Sequence, residues 1–197
     1  MAVEYPFQLP LKNNYCDFLF VEGYFNEIEI QELEKIWQTA DHEKATVVAE
    51  GDKELEHEIR KSSVAMIKPE DAHKWVFDKL GALAIQANNE RYWFDILGFK
   101  EELQLAEYGE GHYFDWHLDF SAGQASMRKL SMSVQLSDSE DYEGGDLEIM
   151  VNTNHVKVPR SKGTVIIFPS FVMHRVTPVT KGTRKSLVGW ISGPPYR

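Results

Sequence analysis

The chain has 197 residues, enough for one substantial domain, and a formal net charge of -10 from 31 acidic and 21 basic residues. This acidic balance argues against nucleic acid as a partner, because a phosphate backbone is bound by a basic surface. The single cysteine excludes an internal disulfide, and the lack of a signal-peptide pattern or a membrane-length apolar run predicts a cytoplasmic protein with no membrane partner.

The N-terminal part of the chain predicts a strand followed by a helix. Residues 16–22 have the composition of a short strand. Asn26 and Glu29 have the spacing of a helix capping box, with Asn in the position usually held by Ser or Thr. The helix that follows carries its apolar residues on one face: Ile30, Leu33, Ile36 and Trp37.

A charged stretch and a second helix come next. Residues 41–58 predict an exposed loop or an irregular hairpin, and residues 63–67 predict a strand. Pro69 is placed in the first turn of a helix over roughly 69–90. Because long exposed loops often cover binding sites, 41–58 is a candidate substrate lid, and a solvated loop with no such role is the alternative.

From about residue 92 the pattern changes to short apolar or alternating segments separated by Gly, Pro, Asn and Asp. The predicted strands are 102–108, 113–119, 129–136, 146–151, 155–158, 164–168, 173–176 and 185–192. Gly144-Gly145 and Lys162-Gly163 predict tight turns. Such a series is typical of an antiparallel sandwich or barrel.

No linker divides the chain, so the sequence predicts one domain over 1–197. Its fold class is mainly β with supporting helices, a jelly-roll core packed against N-terminal helices. Residues 1–98 are expected to form the helical support and first strands, and 99–197 the core.

The first chemical pattern is the triplet His117-Leu118-Asp119. On a strand, residues two apart point to the same face, so His117 and Asp119 can reach one ion. The pattern alone is weak, but His174 begins a later strand and supplies a third ligand. Two histidines and one carboxylate are the facial set of non-haem Fe(II) oxygenases. Zinc is the competing ion, although structural zinc sites are usually closed and richer in sulfur or histidine.

Arg184 lies ten residues after His174, at the start of the last predicted strand. An arginine facing a barrel interior needs an anion, and its planar fork fits a carboxylate. Ser186 is two residues on and can add a hydroxyl, and Tyr108 lies just upstream of the metal strand. An internal salt bridge is the alternative for Arg184, and an aromatic core position is the alternative for Tyr108.

The remaining histidines do not have ligand spacing to one another, and we interpret them as surface or loop residues: His42, His57, His73, His112 and His155.

The region of about 100–193 resembles the 2-oxoglutarate- and Fe(II)-dependent dioxygenases of the prolyl 4-hydroxylase type. The matching stretches are Tyr108–Asp119, Arg128–Leu136, Tyr142–Glu148, Gly163–Pro169 and His174–Trp190. The resemblance implies a double-stranded β-helix fold. Relatives of the collagen type have Lys where this chain has Arg184, so the likeness is to the branch with Arg.

The resemblance also implies the roles of the site residues. Iron would be bound by His117, Asp119 and His174, which are then the catalytic centre. The cosubstrate 2-oxoglutarate would be held by Arg184 with help from Tyr108 and Ser186. The substrate pocket would include Trp190, Tyr113 and Trp116. O2 is the second cosubstrate, and ascorbate is a further candidate cofactor.

The implied activity is hydroxylation of a prolyl residue in a peptide or protein, coupled to conversion of 2-oxoglutarate to succinate and CO2. A free amino acid or small metabolite is the alternative substrate. A non-catalytic, cupin-like binding module is the alternative from another class. The sequence leaves the oligomeric state open between monomer and homodimer.

Overall fold

The computed structural model describes residues 15–44 and 59–196 of the chain. The helices of the described part are α1 (Glu27–Thr39) and α2 (Lys74–Ala87), with short helical turns at Asp71–His73, Asn88–Tyr92 and Gly123–Met127. The strands are β1 (Leu19–Val21), β2 (Glu43–Lys44), β3 (Arg60–Lys61), β4 (Ser63–Ile67), β5 (Gly98–Phe99), β6 (Leu103–Tyr108), β7 (Tyr113–His117), β8 (Arg128–Gln135), β9 (Tyr142–Gly144), β10 (Leu147–Val151), β11 (Asn154–Lys157), β12 (Val165–Pro169), β13 (His174–Val176), β14 (Val179–Gly182) and β15 (Arg184–Ser192).

Two antiparallel sheets make up the β structure of the described residues. The larger has the order β1-β12-β8-β15-β6-β4-β2, with β5 added on β15, and the smaller has the order β11-β10-β13-β7-β3. A separate pair joins β14 to β9. Because neighbours in these sheets are mostly distant along the chain, this is the predicted jelly roll with supporting helices, and the fold class is confirmed.

The alternation of side chains along β12 shows how the layers are arranged. Val165 and Ile167 pack in the core that contains the helices, together with Leu33 of α1 and Leu80 of α2. Ile166 lies in a second core with residues of the smaller sheet. Successive strand residues point to opposite faces, so the larger sheet is covered by helices on one side and by the smaller sheet on the other. This explains why β12 is a continuous apolar run.

The start of α1 has the predicted capping box. The Asn26 side chain accepts a hydrogen bond from the Glu29 backbone N–H at 3.0 Å, and the Glu29 carboxylate accepts one from the Asn26 N–H at 2.8 Å. Two N–H groups that the helix itself cannot satisfy are thereby paired.

Two predicted boundaries are wrong, and two strands were missed. Pro69 does not lie in a first helical turn, because Glu70 is the residue that caps the turn at Asp71–His73. The predicted strand 113–119 ends at His117, so Asp119 lies beyond it. The short strands β9 and β14 were not predicted, because each has few apolar residues and is defined by its pairing with the other.

Of the candidate lid 41–58, residues 45–58 lie outside the described part, and Glu43–Lys44 pairs with β4. In the part of the chain that the structure covers, no helix is long and apolar enough to cross a membrane. The division into a support at 1–98 and a core at 99–197 stays a prediction.

Gly163 fixes the junction between the barrel and the segment before α1. Its φ is +80°, and an added Cβ would lie 2.2 Å from the Phe25 carbonyl oxygen. Its own carbonyl oxygen accepts a hydrogen bond from the Phe25 N–H at 3.0 Å. Only glycine therefore allows this backbone contact.

We expect Gly163→Ala to lower the free energy of unfolding far more than Gly23→Ala. Gly23 also has a positive φ, +62°, but open space around it. The control variant should lose about 1 to 2 kcal/mol from the left-handed conformation alone. Gly163→Ala adds a clash with backbone, which cannot move aside as a flexible side chain would. Chemical denaturation measures both, and equal losses would contradict the packing described for Gly163.

Candidate active site

Three predicted metal ligands converge in the structure. His117 is the last residue of β7, and His174, the first residue of β13, is its direct partner in the antiparallel register. Asp119 follows β7 by two residues and is buried. The ligand atoms of the three residues all lie within 4.8 Å of one another. Asp119 Oδ2 is 3.5 Å from His174 Nε2, and Asp119 Oδ1 is 3.9 Å from His117 Nε2.

A β-bulge sets the direction of His117. The register pairs His174 with His117 and Val176 with Phe114, so two residues of β7 lie opposite Arg175 alone. A bulge of this kind changes the face to which the following side chains point. As a result Phe114 and His117, three residues apart, stack with ring centroids 3.4 Å apart. Simple strand alternation, on which the sequence prediction rested, does not describe this segment.

Main-chain carbonyls fix the orientation of both imidazoles. The Nδ1 of His117 donates to the Asp115 carbonyl oxygen at 2.7 Å, and the Nδ1 of His174 donates to the Val172 carbonyl oxygen at 3.0 Å. A carbonyl oxygen only accepts, so each Nδ1 carries a proton, and each Nε2 is the ring nitrogen that faces Asp119. Hydrogen bonds of this kind are typical of metal-binding histidines.

The ionisation of Asp119 and His117 suits the group to a cation. Burial, together with the neighbouring His174, lowers the pKa of His117 to about 3, so this imidazole is neutral at pH 7. Burial acts to raise the pKa of Asp119, but the adjacent His174 and His117 lower it by more, so the group stays a carboxylate. The two Nε2 atoms and the carboxylate face one another as a set of donors for a cation. The donor set fits Fe(II).

Arg184 is the second charged feature. It is 1% exposed, and its guanidinium carbon lies 5.5 Å from the centroid of the Tyr108 ring, its partner in the β15–β6 register. Nη1 donates to the Ser186 hydroxyl at 3.3 Å, and Nη2 donates to the Gln135 side-chain oxygen at 3.0 Å. Nε has no partner, and no carboxylate of the described residues forms an ion pair with this guanidinium. A buried guanidinium with only neutral partners is suited to binding an anion.

One cavity connects these two features. The predicted residues that line it are His117, Asp119, His174, Arg184, Ser186, Tyr108 and Trp190. The indole N–H of Trp190 is buried, and no partner for it is found in the described chain. The structure therefore brings together the metal-ligand candidates, the cosubstrate candidates and one of the three substrate-pocket candidates.

Tyr113 and Trp116 are not among the residues that line this cavity. The Trp116 ring packs instead against the Arg175 guanidinium, at 4.7 Å, and against His155, at 5.9 Å. Tyr113 lies opposite Lys61 in the β3–β7 pairing. The bulge explains the difference, because it turns Phe114 and His117 inward and leaves their neighbours on the other face. The assignment of Tyr113 and Trp116 to a substrate pocket stays a prediction.

Sequence reasoning missed several polar residues at the site, among them two arginines and a glutamine. Arg60 lines the cavity, with its guanidinium carbon 4.7 Å from the centroid of Phe114. Arg128 donates to the Asp119 carbonyl oxygen at 3.1 Å and lies 3.9 Å from the centroid of Trp190. Gln135 contacts Arg184. Each reaches the site through pairing between distant strands, for which no local pattern exists in the sequence.

The other described histidines do not join the metal-ligand group. His42 stacks on Trp37, and His155 lies 3.7 Å from the Glu148 carboxylate. His112 is half-buried, and burial together with the nearby Lys61 lowers its pKa. His57 lies outside the described residues.

Comparisons with known proteins show which family of proteins the chain is similar to. Residues 103–192 match the family model of the 2OG-Fe(II) oxygenase superfamily. A PKHD-type hydroxylase of Hyphomonas neptunium is 45% identical over 89 residues, which cover 42% of this chain and 39% of that protein. The match therefore spans about two fifths of the length of this curated relative.

Solved structures share the fold. A prolyl-4-hydroxylase of Pseudomonas putida aligns with a TM-score of 0.72 at 19% identity, over 90% of this chain and 93% of that one. A prolyl hydroxylase of Trichoplax adhaerens, solved with a peptide fragment of hypoxia inducible factor, aligns with a TM-score of 0.74 at 17% identity, over 90% and 84%.

Over residues 103–192 the chain is therefore similar to the 2OG-Fe(II) oxygenase superfamily. It resembles a PKHD-type hydroxylase in sequence and prolyl hydroxylases in fold, as predicted. That superfamily is named for 2-oxoglutarate and Fe(II), and the converging donors and the buried arginine of this chain are chemically suited to these two. The individual roles of the site residues stay proposals.

We expect Asp119→Ala to weaken binding of Mn(II), a stand-in for Fe(II), by roughly a hundredfold or more. Even residues that merely support metal ligands are worth 10- to 100-fold in affinity, so loss of the only anionic ligand costs at least as much. Calorimetry or the electron paramagnetic resonance signal of free Mn(II) measures the affinity. Asp78→Ala, which removes an exposed carboxylate on α2, is the matched control and should bind as the parent does. Equal affinities in the two variants would exclude Asp119 as a ligand.

Proposed function

We propose that this protein is a 2-oxoglutarate- and Fe(II)-dependent dioxygenase that hydroxylates a prolyl residue in a peptide or protein. The observation that carries the proposal is the presence of opposite charges in one cavity. The group of His117, Asp119 and His174 needs a cation, and Arg184 needs an anion. A metal ion and a dicarboxylate satisfy both requirements at once.

In this proposal His117, Asp119 and His174 hold Fe(II), and Arg184 holds the far carboxylate of 2-oxoglutarate. The iron, with 2-oxoglutarate and O2, would supply the oxidation that converts 2-oxoglutarate to succinate and CO2 and a substrate C–H bond to C–OH. Ser186 keeps the guanidinium of Arg184 in place by its contact at 3.3 Å. Tyr108 forms the adjoining wall, where its ring lies beside the guanidinium.

The apolar wall of the cavity has its own part in the reaction. Met132, Leu147, Phe168 and Val176 line it between the polar groups. Such a lining excludes water, which strengthens the contacts to charged groups and protects reactive species from side reactions. Trp190 adds an unpaired N–H that is suited to a substrate or cosubstrate oxygen.

The prolyl substrate is supported by the relatives, whose names describe prolyl hydroxylases and PKHD-type hydroxylases. The peptide complex of the Trichoplax protein supports a peptide rather than a free amino acid. A purely ligand-binding jelly roll would not require both a full facial ligand set and a buried arginine. The proposal for 41–58 as a substrate lid rests on its sequence alone.

The proposal predicts oxygen-labelled prolyl peptides after incubation of a cell lysate with the protein, Fe(II), 2-oxoglutarate and ¹⁸O₂. Mass spectrometry should find products that gain one labelled oxygen at proline, together with an equal amount of succinate. His174→Ala, the matched control, should form neither product.

Three outcomes are distinguishable in this experiment. If labelled products occurred only in the low-mass fraction, the substrate would be a free amino acid or metabolite instead of a peptide. Failure to form succinate, with or without lysate, would contradict the proposed enzyme class. A fully active His174→Ala protein would overturn the assignment of the ligands.

A further inference from the structure

Gln135 is the only amide side chain that contacts Arg184 within the described residues, and it is itself almost fully buried. It lies at the end of β8, directly opposite Ser186 in the β15–β8 register. Its side-chain oxygen accepts from Arg184 Nη2 at 3.0 Å, and its side-chain nitrogen donates to the Pro159 carbonyl oxygen at 3.1 Å. Arg184 is thus held from two sides, by Gln135 and by Ser186.

The orientation of the Gln135 amide follows from these two contacts. The Pro159 carbonyl oxygen can only accept, so the NH₂ of Gln135 has to face it. The oxygen of the same amide then has to face the guanidinium, which can only donate. Neither partner tolerates the flipped amide, so Pro159 fixes the acceptor that Arg184 meets.

The neutrality of this acceptor matters as much as its position. A carboxylate at the same place would form a charge-assisted pair with Arg184 and occupy its charge. Gln135 and Ser186 satisfy N–H groups of the guanidinium while leaving its full positive charge for an anion from the cavity. A buried cation with neutral partners binds an incoming carboxylate without first breaking an existing ion pair.

We propose that Gln135 is a positioning residue that sets the selectivity of the cavity for a dicarboxylic 2-oxo acid. It does so by holding the Arg184 guanidinium in a fixed position without pairing its charge. This inference rests on the proposed function and deepens it, because it assigns the choice of cosubstrate to a residue beyond the arginine itself. The consequence is that the charge at position 135, rather than its volume, decides whether a distal carboxylate is bound.

The decisive variant is Gln135→Glu, which keeps the shape and changes the charge. The probes are 2-oxoglutarate and 2-oxopentanoate, which has a methyl group where 2-oxoglutarate has its distal carboxylate. Anaerobic calorimetry on the Mn(II)-loaded protein measures the binding of each. We expect the affinity for 2-oxoglutarate to fall by roughly tenfold to a hundredfold, the scale of one charge-assisted hydrogen bond. The weaker binding of 2-oxopentanoate should stay within about twofold.

Two further variants separate charge from folding. Gln135→Met removes the acceptor without adding a charge, so the loss in 2-oxoglutarate affinity should be smaller than for Gln135→Glu. Gln38→Glu makes the same chemical change at an exposed position of α1 and should leave both affinities unchanged. In turnover, the KM for 2-oxoglutarate should rise in Gln135→Glu while kcat changes little.

Several results would overturn the inference. One is an unchanged affinity for 2-oxoglutarate in Gln135→Glu. Another is a parallel loss for both probes, which would indicate structural damage instead of a charge effect. Equal losses in Gln135→Glu and Gln135→Met would show that charge is not the determinant. Failure of the proposed function is recognised separately, because the parent protein itself would then neither bind 2-oxoglutarate nor form succinate.

Discussion

The site depends on opposite charges that are buried in one cavity. At one place the carboxylate of Asp119 faces the Nε2 atoms of two imidazoles, and at another the guanidinium of Arg184 has only neutral partners. Burying such groups costs several kcal/mol each unless partners compensate for the lost water. A chain that retains both in one cavity is suited to binding a cation and an anion together.

The fold supplies the rigid surroundings that such a site requires. The larger sheet is packed on both faces, by the helices on one side and the smaller sheet on the other, which fixes the positions of β8 and β15. Those two strands bring Gln135 and Ser186 beside Arg184. The smaller sheet places His174 opposite His117 and, through its bulge, turns that imidazole inward. The two halves of the site therefore come from the two sheets of the jelly roll.

Much of this was predictable, and the exceptions have physical causes. Apolar periodicity and turn residues predicted α1 and most strands, because those patterns are local. The residue types and order of His117, Asp119, His174 and Arg184 predicted the site. A metal ion and a carboxylate each need particular types of side chain as partners. The bulge in β7 was not predictable, since it depends on the register with β13. Gln135 was missed for a similar reason, because its partners are distant in the chain.

The central claim is that one cavity binds a metal ion and a dicarboxylate at the same time. Equilibrium binding of 2-oxoglutarate under anaerobic conditions, with and without Fe(II), tests this claim most directly. The account predicts one molecule bound per chain in the presence of Fe(II), at least tenfold weaker binding without metal, and a comparable loss in Arg184→Met with metal present. Binding that is indifferent to Fe(II), or that survives Arg184→Met unchanged, would contradict it.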